Sequence, residues 1–189
     1  NASVEFYWVL PALIIFWVVN KRLGTTMLLS VGLALAVNSF LKCTFCVYRP
    51  WVLDSRIHPP SSIISSATGY SFPSGHATCS SSFWGAIFMF FRKKKTSICV
   101  FCVLMILLVL FSRMFLGVHT PQDVFVGALC GCADAVASFY IVKNVDAKKN
   151  LDLILWLIFT VGIIGILLYL SFKTYPMDYV DGKLLVDPA

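Results

Sequence analysis

Residues 97–117 read SICVFCVLMILLVLFSRMFLG, a run in which Arg113 is the single charged residue. A helix of about 20 mostly apolar residues is long enough to cross the hydrocarbon core of a bilayer. We therefore predict a transmembrane helix over this run. A charge within such a helix is costly and usually serves a function, so Arg113 becomes the first candidate site residue.

Apolar runs of the same kind recur along the rest of the chain. They cover about 6–20, 24–45, 77–91, 121–142 and 152–171. Together with the run at 97–117, they predict an all-α polytopic transmembrane helical bundle of about six spans. We expect a single membrane domain over residues 1–189, with a long irregular segment at 47–75 and a polar tail at 172–189 that is a loop or a cut end.

The composition of the chain excludes the common soluble classes. Of its 189 residues, 59% are hydrophobic and 13% are charged, and the mean hydropathy is +0.84. A soluble domain has about 45–50% apolar and about 25% charged residues. A typical soluble enzyme, a disordered chain and a disulfide-stapled secreted domain are therefore ruled out. Most of the cysteines lie in apolar runs without a second ligand pair at zinc spacing, so we interpret them as core residues and expect no metal.

The positions of the basic residues indicate how the bundle lies in the membrane. The connections with Lys21–Arg22, Arg92–Lys95 and Lys143–Lys149 alternate with the others, so six spans place all three on one side. By the positive-inside tendency, that side is cytoplasmic. The segment 47–75 and the turn at 117–121 then face the outside. The run of basic residues Arg92–Lys95 is thus interpreted as a topology signal, and we expect no nucleic-acid partner.

Five polar side chains collect at the outer ends of the predicted spans. They are Lys42, Arg49, His76, Arg113 and His119. Three cations and two histidines at one membrane face form an anion site with acid, base or nucleophile capacity. Taken singly, Lys42 and Arg49 also fit residues that snorkel to headgroups, and His119 also fits a turn residue. Dismissing the site requires all these interpretations to hold at once, so we favour an anion site.

Two predicted helix starts bring further polar groups to this face. The segment 120–123, which reads TPQD, is typical of a helix N-terminus, and its acid Asp123 follows the preceding histidine closely. The segment 74–76, which reads SGH, is the second. Here Ser74 is predicted to cap the third span, and Gly75 lets the backbone approach a ligand. Free N–H groups at a helix N-terminus bind phosphate well.

Three segments together resemble the signature of the type 2 phosphatidic acid phosphatase superfamily. They are Lys42-x6-Arg49-Pro50, Pro73-Ser74-Gly75-His76 and Ser112-Arg113-x5-His119-x3-Asp123. All three are complete and in order, and the stretches 67–72 and 116–121 resemble bacterial members. The resemblance implies an antiparallel helical bundle with six core spans. It also implies a multi-pass protein of the plasma membrane with its active site on the extracytoplasmic face.

The resemblance implies hydrolysis of a phosphomonoester or pyrophosphate through a phosphohistidine, without a metal or other cofactor. In this scheme His119 is the nucleophile, Asp123 orients it, and His76 protonates the leaving group. The phosphate is bound by the remaining motif residues, which are Lys42, Arg49, Ser74, Gly75 and Arg113. The expected substrate is a lipid phosphate of the undecaprenyl pyrophosphate, phosphatidylglycerol phosphate or phosphatidic acid type. Its chains would stay among the membrane lipids.

Other functions stay open on the sequence alone. A phosphoryl transferase to a lipid or sugar acceptor would use the same residues. A non-catalytic protein that binds or transports lipid phosphates is expected to lack His119, His76 or Asp123, and all three are present. Vanadium haloperoxidases resemble the same motifs but are typically soluble, which disfavours oxidative chemistry.

Asp134 is an acid in the fifth apolar run, 11 residues after Asp123. This separation is about three helical turns, so both carboxylates lie on nearly the same helix face. We expect Asp134 to hold the bundle together by hydrogen-bonding to the polar group of the third span. That group comprises Thr78, Ser80, Ser81 and Ser82.

Overall fold

The computed structural model describes residues 2–66, 69–145, 151–176, 179–180 and 183–184. The helices in these ranges are α1 (Ala2–Ile14), α2 (Lys21–Phe45), α3 (Pro50–Leu53), α4 (Ser61–Ser66), α5 (Gly75–Phe91), α6 (Thr96–Phe115), α7 (Pro121–Val145) and α8 (Leu151–Phe172). A π-helical turn, Ile15–Val19, continues α1. A short antiparallel hairpin pairs β1 (Tyr179–Val180) with β2 (Lys183–Leu184).

Each of the six predicted spans corresponds to a helix. Four segments of the described chain are long and apolar enough to cross a membrane: Lys21–Leu53, Thr96–Phe115, Pro121–Val145 and Leu153–Phe172. The apolar helix Tyr7–Val19 is shorter, and α5 has 17 residues. The prediction of an all-α polytopic helical bundle is therefore confirmed, while the number of six spans stays a prediction.

Local sequence sets the helix starts. The side chain of Asn20 accepts a hydrogen bond from the Leu23 N–H at 2.9 Å and so caps α2. At α7, the Asp123 N–H donates to Thr120 Oγ1 at 3.2 Å, and the Thr120 N–H donates to Asp123 Oδ2 at 2.8 Å. This reciprocal pair confirms the predicted start of α7. The turn before it contains Gly117 at a φ of +67°, a conformation that side-chain-bearing residues rarely adopt.

The helices α5 and α7 pack closely because small residues line their contact. A Cβ atom added to Gly127 would lie 2.7 Å from the Ser74 carbonyl oxygen, and one added to Gly131 would overlap the Thr78 carbonyl oxygen. Small residues at such spacing let membrane helices approach each other closely. The contact holds the start of α7 against the start of α5, and these two segments carry His76 and Asp123 of the predicted site.

The interior of the bundle has an apolar part and a polar part. The apolar cluster is formed by Ala12, Leu23, Met27, Val31, Phe83 and Ala86. In the polar part, the hydroxyls of Ser30 and Ser82 lie 2.5 Å apart. The Asn38 amide donates to the Pro73 carbonyl and to Thr78 Oγ1, each at 3.2 Å. These bonds fix α5 and its preceding loop on α2.

The prediction for Asp134 is wrong. Asp134 is buried in α7, but its Oδ2 has no hydrogen-bond partner among the described residues. The hydroxyls expected to reach it are engaged elsewhere or unpaired. Thr78 donates to the Ser74 carbonyl at 3.0 Å, and Ser82 pairs with α2, while Ser80 and Ser81 have no partner within the described chain.

The segment 47–75 contains the short helices α3 and α4 and returns to its own beginning. The Ser71 N–H donates to the Val47 carbonyl at 2.7 Å, which ties the end of the segment to its start. Arg49 lies just after the start and His76 just after the end. The bond therefore helps to bring the first two motifs together.

Candidate active site

The structure brings the predicted site residues to one end of the bundle. Lys42 comes from the last turn of α2, His76 from the first turn of α5, and Arg113 from the last turn of α6. His119 lies in the turn between α6 and α7. His76 is within electrostatic reach of Arg113, His119, Lys42 and Arg49. The fold therefore brings the three motifs together, although they are far apart in sequence.

The His119 ring is buried and held through both of its nitrogens. Its Nε2 lies 3.0 Å from Arg49 Nη1. A guanidinium donates and never accepts, so Nε2 must accept and carries no proton. The ring proton of the neutral imidazole is then on Nδ1. This is the tautomer in which Nε2 has a free electron pair for attack on an electrophile.

Ser71 lies between His119 and Asp123, and sequence analysis gave it no role. Its Oγ donates to Asp123 Oδ2 at 2.6 Å and lies 3.3 Å from His119 Nδ1. The direct distance from His119 Nδ1 to Asp123 Oδ2 is 3.6 Å, which is long for a hydrogen bond. Because the carboxylate only accepts, the chain of donors runs from the Nδ1–H through the serine hydroxyl to the carboxylate.

Asp123 is buried and well supplied with donors. Besides the Ser71 hydroxyl, its Oδ2 accepts the Thr120 N–H at 2.8 Å. Its own carbonyl accepts the Ser74 N–H at 2.9 Å. The last bond links the second motif directly to the third. The carboxylate is thus fixed with respect to both α5 and the His119 turn.

The His119 imidazole is neutral at neutral pH. Burial lowers the pKa of His119 to about 4, and the cations Arg49 and Lys42 act in the same direction, whereas Asp123 opposes the shift. Burial disfavours the charged imidazolium because the ring loses its contact with water. A neutral imidazole is the form that a nucleophilic role requires.

Arg49 is held in place by backbone carbonyls. Its Nε donates to the Gly69 carbonyl at 3.1 Å, and its Nη1 donates to the Val118 carbonyl at 3.2 Å. These bonds join the loop before α5 to the turn before α7 across the guanidinium. The same Nη1 reaches His119, so the arginine and the histidine have fixed relative positions.

Three other predicted groups have no hydrogen-bonding partner in the described part of the chain. They are the Lys42 ammonium, the His76 ring and the terminal amino groups of Arg113, whose Nε alone contacts Ser112 Oγ at 3.3 Å. The formal charge of Lys42, Arg49, Arg113 and Asp123 is +3 − 1 = +2 with both histidines neutral. A phosphate group carries about −1.5 to −2 at pH 7, which matches this excess.

The predicted phosphate cradle at Ser74 and Gly75 needs a correction. Ser74 is at the N-cap of α5, but its side chain makes no capping bond, and its backbone N–H is used by Asp123. Its buried Oγ has no partner among the described residues. A Cβ on Gly75 would lie 3.2 Å from Asn38 Oδ1, so the glycine keeps this corner open.

Asn38 is the second residue that sequence analysis missed. Through its two hydrogen bonds it orients the loop and first turn that carry His76. A signal for it was present, because a buried amide in an apolar run lies four residues before Lys42 and thus on the same helix face. Ser71 offered no such signal, because it is 48 residues from His119 in an irregular segment.

Known proteins share both the sequence pattern and the fold. The sequence model of the PAP2 superfamily matches residues 23–147, a range that includes all three motifs. An undecaprenyl-diphosphatase of Sulfolobus acidocaldarius is 28% identical over 146 residues, which are 77% of this chain and 68% of that protein.

Two solved structures have similar folds. The crystal structure of Aquifex aeolicus LpxE aligns with a TM-score of 0.62 and 26% identity, covering 74% of this chain and 81% of that chain. The first transmembrane PAP2 type phosphatidylglycerolphosphate phosphatase from Bacillus subtilis aligns with a TM-score of 0.55 and 25% identity, covering 79% of this chain and 72% of that chain.

Proposed function

The chain belongs to the PAP2 superfamily and is a multi-pass membrane phosphatase of lipid substrates, and from that premise we propose its mechanism. The protein hydrolyses the terminal phosphate or pyrophosphate of an amphiphilic lipid through a phosphohistidine on His119. The observation that carries this proposal is the state of His119. Its ring is neutral, its Nε2 is unprotonated beside Arg49, and its Nδ1–H faces Ser71 and Asp123.

Binding of the phosphoryl group is assigned to the cations. Lys42 and Arg113 have unsatisfied donors among the described residues, and a guanidinium offers a planar two-point fork that matches phosphate oxygens. Arg49 would transfer its Nη1 donor from His119 Nε2 to a phosphate oxygen. This exchange frees the electron pair of Nε2 beside the phosphorus atom. The Ser74 hydroxyl and the open corner at Gly75 complete the phosphate site.

In the first chemical step, His119 Nε2 attacks the phosphorus atom. An N–P bond forms while the bond to the leaving oxygen breaks. The leaving alkoxide or phosphate takes a proton from His76, which is neutral in the empty site and takes up this proton when the negatively charged substrate binds. Positive charge develops on the His119 ring, and the Ser71–Asp123 pair stabilises it through Nδ1.

In the second step, water hydrolyses the phosphohistidine. The neutral His76 left by the first step takes a proton from the attacking water, an O–P bond forms and the N–P bond breaks. Inorganic phosphate leaves, and both histidines return to their starting forms. The scheme needs no metal, because the three cations supply the charge that Mg²⁺ supplies in other phosphoryl transfers.

The substrate class follows from the position of the site. The site is built at the ends of apolar helices, so a bound phosphate lies at headgroup depth while acyl or prenyl chains stay in the bilayer. Lipids of the undecaprenyl pyrophosphate, phosphatidylglycerol phosphate and phosphatidic acid types all meet this requirement. We place the site on the extracytoplasmic face of the plasma membrane, opposite the basic connections, and treat residues 1–189 as one domain.

The test is phosphate release by the detergent-purified protein in the presence of EDTA, with a panel of polyprenyl, glycerolipid and sphingoid phosphates. Release should persist in EDTA and fall to background in His119→Ala. His58→Ala is the matched control, because His58 is an exposed histidine in the segment 47–75 outside the site. Unchanged release in His119→Ala would overturn the nucleophile, and dependence on added metal would overturn the metal-free scheme.

A further inference from the structure

A cavity lined by basic residues lies far from the candidate active site. It has a volume of about 260 Å³ and is lined by the start of α2, the end of α5 with the turn that follows it, and the end of α7. Arg22 lines it, and Lys42 follows 20 residues later on α2, which corresponds to about 30 Å along the helix. The cavity and the active site are therefore at opposite ends of the bundle, separated by about the thickness of a hydrocarbon core.

The charges in this cavity are all of one sign. Its cationic lining consists of Arg22, Arg92, Lys93, Lys94 and Lys143. Among the described residues, no acidic side chain lines the cavity and none of these cations forms an ion pair. Like charges in so small a volume repel each other, and a bound anion relieves that repulsion.

Several of these cations are held in position over the cavity. Arg22 Nη2 donates to the Lys143 carbonyl at 3.4 Å, which joins the start of α2 to the end of α7. The Arg92 guanidinium lies 5.6 Å from the centre of the Phe139 ring, and the Lys94 ammonium lies 5.5 Å from the centre of the Phe90 ring. Such contacts restrict long cationic side chains that otherwise move freely in water.

The remaining lining is apolar. Met89, Phe90 and Phe139 complete the lining. A cavity lined by both cations and apolar side chains suits a ligand with an anionic head and a hydrocarbon body. Inorganic phosphate gains nothing from the apolar part of the wall.

The positive-inside tendency alone does not account for the cavity. That tendency depends on the number of basic residues in the connections and not on their convergence. Lys21 and Lys95 belong to the same connections and are exposed, yet neither lines the cavity. The cations of three helix ends converge, while their sequence neighbours point elsewhere.

We propose that this cavity binds the headgroup of an anionic phospholipid of the surrounding leaflet. The phosphodiester contacts Arg22, Arg92 and Lys143, and the upper part of the acyl chains lies along Met89, Phe90 and Phe139. Basic pockets between transmembrane helices are known to bind anionic headgroups in this way. The site is separate from the one that carries the chemistry, and it does not depend on the proposed mechanism.

The test compares lipid binding by two double variants of the detergent-purified protein. Phosphatidylglycerol, a phosphodiester without a terminal phosphate, is titrated while the unfolding temperature and the retained lipid in native mass spectra are followed. Arg22→Gln/Lys143→Gln should weaken phosphatidylglycerol binding about 10- to 30-fold. Lys21→Gln/Lys95→Gln removes the same charge from the same end of the bundle and should bind as the parent protein does.

Three results would overturn the proposal. An equal loss in both double variants would show a diffuse attraction to the basic end. Equal stabilisation by phosphatidylcholine would show that the headgroup charge is not recognised. Equal stabilisation by millimolar inorganic phosphate that is lost in Arg22→Gln/Lys143→Gln would assign the cavity to a free anion. Should the first double variant fail to fold, Arg92→Gln/Lys94→Gln makes the same test on the other wall of the cavity.

Discussion

Replacing Ser71 by alanine removes the hydroxyl that joins the proposed nucleophile to its carboxylate. In the native arrangement the hydroxyl lies 2.6 Å from Asp123 Oδ2 and 3.3 Å from His119 Nδ1. Without it, the nearest acceptor for the Nδ1–H is Asp123 Oδ2 at 3.6 Å. The imidazole then loses part of the stabilisation that it needs when positive charge develops on the ring.

The size of the effect follows from the kind of bond that is lost. A hydrogen bond to a charged group contributes about 1.5–3 kcal/mol. If the bond is made fully only when the ring becomes positive, its loss lowers kcat by about 10- to 150-fold. The Ser71 side chain contacts His119 and Asp123 and not Lys42 or Arg113, to which we assign phosphate binding, so KM should change little.

The assay is steady-state phosphate release from the best lipid substrate, with kcat and KM determined separately. Ser80→Ala is the matched control, because Ser80 is equally buried and its hydroxyl has no partner within the described chain. Ser71→Ala combined with Asp123→Ala should be no slower than Asp123→Ala alone, because both residues act through the same nitrogen.

Two results would refute this account of Ser71. One is a kcat in Ser71→Ala within a factor of about two of the parent value, since the lost bond is worth about tenfold or more. The other is a double variant whose loss is the product of the two single losses, which would place Ser71 and Asp123 in independent roles. If an unchanged kcat were accompanied by a higher KM, Ser71 would be assigned to binding.

Three further predictions concern protonation, packing and the leaving group. Because burial lowers the pKa of His119 to about 4, its ring should stay neutral at pH 5 with the proton on Nδ1 and become protonated only as the pH falls through 4. Titration by histidine-selective NMR checks this expectation. A titration midpoint near the unperturbed pKa of about 6.5 would contradict it. Gly131→Ala places a methyl group against the Thr78 carbonyl and should cost about 1–3 kcal/mol of stability. Gly162→Ala, which has open space around it, should cost none, and thermal unfolding distinguishes the two. His76→Ala should slow phosphate release from an alkyl phosphate by about 10²–10⁴-fold. Release from an aryl phosphate, whose leaving group needs no proton, should slow much less. Equal losses with the two substrates would contradict the assignment of His76 as the general acid.

The sequence was sufficient to predict the bundle and most of the site because membrane helices follow from length and apolarity alone. An alternating topology then places every second connection on the same side, so motifs that are far apart in sequence share a membrane face. The start of α7 was predictable for a local reason, since Thr120 and Asp123 need only each other's backbone. Features that depend on a single helix, or on the order of the helices along the chain, could therefore be predicted from the sequence.

Features that depend on the contact between two segments could not be predicted from the sequence. Ser71 reaches His119 only because the segment 47–75 closes on itself through the Ser71 N–H bond to Val47. Ser74 was expected to cap α5, but the Asp123 carbonyl takes its N–H and its hydroxyl is left unpaired among the described residues. Asp134 was expected to find partners on α5, but its Oδ2 and the hydroxyls of Ser80 and Ser81 have none among the described residues.

The close contact between α5 and α7 is therefore part of the site and not only of the scaffold. Gly127 packs against the Ser74 carbonyl. A side chain at this position would push α7 away from α5 and separate Ser74 from Asp123. The bond from the Ser74 N–H to the Asp123 carbonyl fixes the start of α7, and Asp123 in turn fixes Ser71 and, through it, the tautomer of His119. His76, the proposed general acid, lies on the other side of the same contact, in the first turn of α5. The separation of His119 and His76, the proposed nucleophile and general acid, therefore depends on the missing side chains of Gly127 and Gly131.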